Sequence, residues 1–244
     1  MRILYIVSVL MMATATNAAT ITTDNFIIQA SDTETARQVA ISAETARDDL
    51  AELWLGETLP KWTHRCSVTV RVGQLGAGGS TTYSINKGDI ASWNMKVQGS
   101  LERIVDSVIP HEVTHMVLAS HFRRHIPRWA DEGASVLSEH LSERCRYTKV
   151  MICTNRRISL DNLLSAKEYP ADATDRILMY SEGYLFVKYL MQIHEDDNHA
   201  RFMVFVADSY ESNWEESLRK HYGFESLRAA EVAWREWLIH HVDH

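Results

Sequence analysis

Apolar positions along the chain follow one period before about residue 100 and another after it. Thr22–Ala30 (TTDNFIIQA) is rich in β-branched and aromatic residues and predicts a strand. The next stretch repeats at helical spacing: Val39, Ala43, Ala46, Leu50 and Leu53 share a face, with Ser31 or Asp32 as N-cap and Glu34 near the third helical position. Pro60 ends that region. In CSVTVRVG, Val68, Val70 and Val72 alternate, which puts them on one face of a strand. GQLGAGGSTTYSINKGDIASWNMKVQG mixes Gly, Ser, Thr and aromatics and reads as hairpin strands joined by turns. Its GAGG has no GK[ST] after it, so a turn is the expectation there over a phosphate loop.

From Leu101 the pattern becomes helical over 101–120, 128–143, about 176–194, 198–208, 212–221 and 225–241. CRYTKVMIC, between the second and third of these, is expected to form a small hairpin. Strands first and helices afterwards define an α+β chain. The expected layout is a small, mostly antiparallel N-terminal sheet with a helix, then a mainly α-helical half. One domain over 20–244 accounts for it, strand-rich over 20–99 and helical over 100–244.

The first residues read differently. Arg2, the apolar run Ile3 to Met12 and the small residues of ATATNAA have the layout of a signal peptide, residues 1–18. The expectation is export to the periplasm or the outside. No later stretch is long and apolar enough to predict a stable membrane insertion. The net charge of −7 argues against nucleic acid as a partner, and FRRH and TNRR are short, local basic clusters. An exported compartment permits a disulfide, but Cys66, Cys145 and Cys153 are an odd set. Cys145–Cys153 would close a short loop, and Cys66 has either one as a partner. None has the CxxC spacing of a structural zinc site.

The chemistry concentrates in PHEVTHMVLASHFRRHIPRWADEGAS, Pro110 to Ser135. His111 and His115 are four apart, one turn along one helix face, where two imidazoles reach one ion. Glu112 beside them completes HExxH, with a carboxylate to take a proton from water. A catalytic zinc needs a third protein ligand and an open position. His121 is one candidate, but Leu118 stands where a helix-breaking glycine would be needed. On a continuing helix His121 falls about 240° round the axis from His115. The other is Glu132, separated from His115 by sixteen intervening residues and early on a second helix opened by Pro127. Glu132 is therefore the chosen ligand, giving a His111, His115, Glu132 site for one zinc ion.

Other groups nearby have plainer readings. His121 and His125 lack an intervening carboxylate and are expected on the surface, as is the tail cluster His240, His241 and His244. Trp129 is expected in the core. Pro110 removes one helical amide bond and should kink or restart the helix. Asp131 has two readings: a hydrogen-bond partner for a ligand histidine, or an exposed acid at a helix start.

PHEVTHMV followed by IPRWADEGASVLSE resembles the gluzincin metallopeptidases, and among them the small bacterial peptidase MA-like domains. Trp129, Glu132, Gly133 and Ser135 stand in that family's W-x-x-E-G-x-A block, with Ser135 replacing the alanine. MYSEGYLFVKYL and SLRKHYGFESLRAAEVAWREWL resemble its downstream helices, so the likeness runs from Ser100 to Leu238. It implies a zincin-like half, a bound water of lowered pKa and attack on a peptide carbonyl. His111, His115 and Glu132 would be the ligands and Glu112 the general base that passes the proton to the leaving amine. It also implies an oxyanion-steadying tyrosine, for which Tyr180 is the candidate and Tyr184 the runner-up; the alternative is that both pack in the core.

The expected function is an exported zinc metallopeptidase acting on a peptide or protein. STTYSI is a candidate edge strand for an extended substrate. Two other classes share parts of the site: an inactive peptide- or protein-binding module, and a zinc hydrolase of a non-peptide amide or ester. The intact Glu112 weighs against the first, since binding alone has no use for a base. Only substrate screening separates the second. No oligomeric state is specified.

Overall fold

The computed structural model describes residues 18–86, 88–194 and 198–241. Residues 1–17, which hold nearly all of the expected leader, and His244 lie outside the described residues.

The N-terminal part is a five-stranded sheet with one long helix. Strand β1 (Ala19–Thr22) and β2 (Phe26–Ala30) replace the single strand expected over Thr22–Ala30. They are followed by α1 (Thr33–Leu55), β3 (Cys66–Val72), β4 (Gly78–Asn86) and β5 (Asp89–Gly99). Asp32 caps α1 by accepting from the Thr35 amide at 2.8 Å, and Gly56 ends it in the left-handed conformation at φ 73°. The apolar stripe of α1 is buried at Val39, Ala43, Ala46 and Leu50, whereas Leu53 is 49% exposed. In β3, Val68 and Val70 are buried and Val72, at the strand end, is exposed.

The strand order is β1-β2-β3-β5-β4. The expected hairpin forms as β4–β5, and β1–β2 is also antiparallel. β2–β3 and β3–β5 pair in parallel, so the sheet is mixed. The reason is connectivity: α1 carries the chain from β2 back to the start of β3, and the β4 excursion does the same between β3 and β5. This leaves β4 at the edge, paired only with β5. Between Thr82↔Asn94 and Ser84↔Ala91, β5 supplies Ser92 and Trp93 against Tyr83 alone, a bulge with Ser92 at φ 60°.

The helical part opens with α2 (Leu101–Arg103), a π-helical turn (Ile104–Val108) and α3 (Ile109–Phe122). Pro110 has no amide hydrogen, and the break expected from it is absorbed just upstream as the π turn, closed by Ile109 N–H to Ile104 O. Then come α4 (Arg128–Leu137), α5 (Leu141–Cys153), α6 (Leu160–Ser165), α7 (Ala173–Leu190), α8 (Asn198–Asp208), α9 (Trp214–Tyr222) and α10 (Leu227–His241). The helix expected over 128–143 stops at Leu137, and CRYTKVMIC lies in α5 instead of a hairpin. It has no Gly or Asn for a tight turn, and Tyr147 and Met151, one helical turn apart, pack against the core.

Helices α4 and α7 cross backbone to backbone. A Cβ on Gly133 would lie 2.6 Å from the Gly183 carbonyl oxygen, and one on Gly183 would lie 2.8 Å from that of Trp129. Trp129 is fully buried against Phe186, Phe202, Phe205 and Trp214, which anchors α4 on the C-terminal helices. No described helix is long and apolar enough to cross a membrane.

Candidate metal centre

Helices α3 and α4 bring His111, His115 and Glu132 together, with one ligand atom of each within 4.8 Å of the others. Nε2 of His111 lies 3.5 Å from Glu132 Oε2, and Nε2 of His115 lies 3.9 Å from the same oxygen. The i, i+4 spacing sets the two imidazoles edge to face, their ring centres 4.9 Å apart and their planes at 78°.

Each ring is aimed by an acid on its far nitrogen. Nδ1 of His111 meets Glu139 Oε1 at 2.7 Å, and Nδ1 of His115 meets Asp131 Oδ1 at 2.7 Å. An ionised carboxylate only accepts, so both Nδ1 atoms carry the proton and both Nε2 atoms turn towards Glu132. Asp131 is therefore the histidine's partner and is buried, not an exposed helix-start acid. The Ser135 hydroxyl also approaches His115 Nδ1, at 3.1 Å, a contact that alanine would not make. Thr114, between the histidines, ties α3 to the end of α4 through Ser138 at 2.9 Å. Glu139 sits in the break between α4 and α5, which turns its carboxylate back onto His111.

Glu132 is itself oriented. The Tyr169 hydroxyl donates to Oε1 at 2.6 Å, while Oε2 is buried and has no hydrogen-bond partner. Burial works against ionising Glu132, yet His115 and His111 hold its pKa down at about 2. Burial likewise works against charging the histidines. The Glu132 and Glu139 carboxylates nevertheless raise His111 well above its ordinary value, and Asp131 and Glu132 raise His115 to about 9. A buried, unpartnered carboxylate oxygen facing two imidazole nitrogens is a donor set that fits a divalent cation of the zinc type.

Glu112 lies on α3 between the two histidines and is 3% exposed, with Oε2 lacking a partner. It fits under β4 because residue 79 is glycine: a Cβ there would fall 2.5 Å from Glu112 Oε1. β4, α3, α4 and the tyrosines Tyr147, Tyr169 and Tyr180 enclose a cleft of about 430 Å³ over the cluster.

The remaining sequence candidates are spread out. Tyr180 lines the cleft, and burial followed by the Glu132 carboxylate pushes its hydroxyl pKa far up. Tyr184 is buried in the core beside Tyr147. His121 and His125 are exposed and apart from the cluster, and His241 stacks on Trp237 at the surface. Cys66 is buried on β3, and Cys145 and Cys153 are exposed; all three are free thiols. Cys145 and Cys153 lie two turns apart on α5, about 12 Å, too far for a disulfide. Sequence reasoning did not single out Glu139, Tyr147 or Tyr169. They lie on other elements, and no spacing rule links them to HExxH.

Residues 94–240 match the family model described as the peptidase MA superfamily, and the chain belongs to it. That makes it a peptidase-like protein whose His–His–Glu cluster is a candidate metal site. Neither the curated proteins nor the solved structures contain a match.

Proposed function

We propose that this chain is a zinc-dependent metallopeptidase in which His111, His115 and Glu132 hold one zinc ion and Glu112 is the general base. One observation carries the reading: two imidazole nitrogens and the unpartnered Glu132 oxygen converge beside a second unpartnered carboxylate, Glu112. A zinc ion there would supply a water of lowered pKa and polarise the scissile carbonyl. Glu112 takes a proton from the attacking water and hands it to the leaving amine. Tyr180 is the hydroxyl donor for the oxyanion, supported by its place in the cleft. The free edge of β4 supports an extended peptide aligned by strand addition. The apolar run near the N-terminus supports export to the periplasm or the outside.

The test is a metal and activity panel on wild type, His111→Ala, Glu132→Gln, His121→Ala and Glu112→Gln. The reading expects one zinc per chain, lost with His111→Ala or Glu132→Gln and kept with His121→Ala. It expects peptide-library cleavage to fall on the order of 100-fold or more in Glu112→Gln with zinc retained. Zinc that survives Glu132→Gln and leaves with His121→Ala would overturn the ligand set.

A further inference from the structure

The cleft holds two arginines in opposite states. Arg146, on α5, is ion-paired with Glu143, which also takes Arg103 at 2.7 Å. Arg128, the first residue of α4, pairs with no carboxylate among the described residues. Its guanidinium lies 4.3 Å over the Tyr169 ring, and Nη1 donates to the Tyr169 hydroxyl at 3.2 Å. Tyr83 of β4 lines the same cleft, near enough for the arginine's charge to act on its hydroxyl.

Helix stability does not explain the residue. A cation at the first helical position meets the positive end of the helix dipole, where acids are favoured. Three acids around the cleft are already engaged, Asp131 with His115, Glu139 with His111 and Glu143 with two arginines, and Glu112 lies buried between the histidines with no ion pair to Arg128. Glu132 accepts from Tyr169, so the guanidinium stands two hydrogen bonds from the candidate ligand carboxylate. A planar guanidinium stacked on a ring, with no acid of its own, is the group that recognises a carboxylate with two parallel hydrogen bonds.

We propose that Arg128 forms a subsite for a substrate carboxylate, so that the cleft selects peptides with an acidic group at that end, either the free C-terminus or an Asp or Glu side chain. The proposal rests on the peptidase reading for the substrate class, but its test reads binding. Labelled, N-acetylated hexapeptides are prepared as free acid and as amide, with Asp or Asn at each internal position. Their affinities are measured for zinc-supplemented Glu112→Gln protein, which leaves them intact. The acidic member of a pair is expected to bind about ten-fold or more tightly. Whether the acid–amide pair or an Asp–Asn pair shows the difference identifies the source. Adding Arg128→Met should abolish the difference, and Arg128→Lys should keep part of it, with thermal unfolding as the check that both fold.

Equal affinities within every pair, no binding by any peptide, or a preference that survives Arg128→Met would overturn the proposal. If the preference stands but wild type cleaves none of the bound peptides, the peptidase reading fails and the subsite does not.

Discussion

Tyr169 holds Glu132 from the side away from the histidines: its hydroxyl donates to Oε1 at 2.6 Å and leaves Oε2 facing His111 and His115. The contact joins the segment between α6 and α7 to the first turns of α4. It chooses which carboxylate oxygen is offered to a cation.

Tyr169→Phe removes that hydrogen bond and keeps the ring. Zinc affinity is expected to drop about 10- to 100-fold, with thermal stability nearly unchanged. Competition with a chelating dye measures it; unchanged affinity would mean that Glu132 needs no such support.

Gly79→Ala places a methyl group 2.5 Å from Glu112 Oε1, so the carboxylate proposed as general base must leave its position. Peptide cleavage is expected to fall on the order of 100-fold through kcat, while one zinc per chain remains. Steady-state kinetics beside metal analysis separate this from loss of the site.

Proton competition should make metal binding depend on pH. His111 is raised well above its usual value and His115 to about 9, which favours a second proton, on Nε2, in the metal-free protein. Metal binding must then release protons, so affinity rises with pH up to about 9 and falls below it. The expected slope near neutrality is about ten-fold per pH unit for each proton released. Zinc titrations between pH 6 and 9 would show it, and a plateau starting near pH 6.5 would contradict it.

The thiols should divide by burial. Cys145 and Cys153 are exposed, whereas burial, with help from the Glu112 charge, pushes the Cys66 thiol up to about 12. At pH 8 almost no Cys66 thiolate exists, because the reactive form appears only near that pKa. Two thiols are expected to react with an aromatic disulfide reagent in the native protein and three after unfolding. Fast reaction of all three would show that β3 opens readily.

Gly133→Ala tests the crossing of α4 and α7. The new Cβ would meet the Gly183 carbonyl and Val187 Cγ2, each at 2.6 Å, and backbone has no easy way to yield. A loss of about 1–3 kcal/mol is expected, read as a lower Tm, together with weaker zinc binding as Glu132 shifts. Rescue by lengthening the zinc titration to higher concentration would separate displacement from unfolding.

Periodicity and capping rules worked where the stabilising contacts are local. The Asp32 cap and the stripe of α1, the β4–β5 hairpin and the HExxH turn of α3 all depend on neighbours a few residues away. The same reasoning misread CRYTKVMIC, because β-branched and aromatic residues suit a strand as well as a helix face. Only the contact of Tyr147 and Met151 with the core decides between them. It also ran one helix through Ser138, where the chain turns and brings Glu139 to His111.

The sequence by itself determined the α+β order, the pair His111 and His115 on one helix face, and the carboxylate between them, because the local repeats of strand and helix set those relations. Tertiary structure decided the rest: the parallel pairings of the sheet, Glu139 and Asp131 behind the two rings, Tyr169 on Glu132, and Gly79 over Glu112. Each joins residues on different elements, and such contacts arise from how buried surfaces pack, which no local spacing encodes.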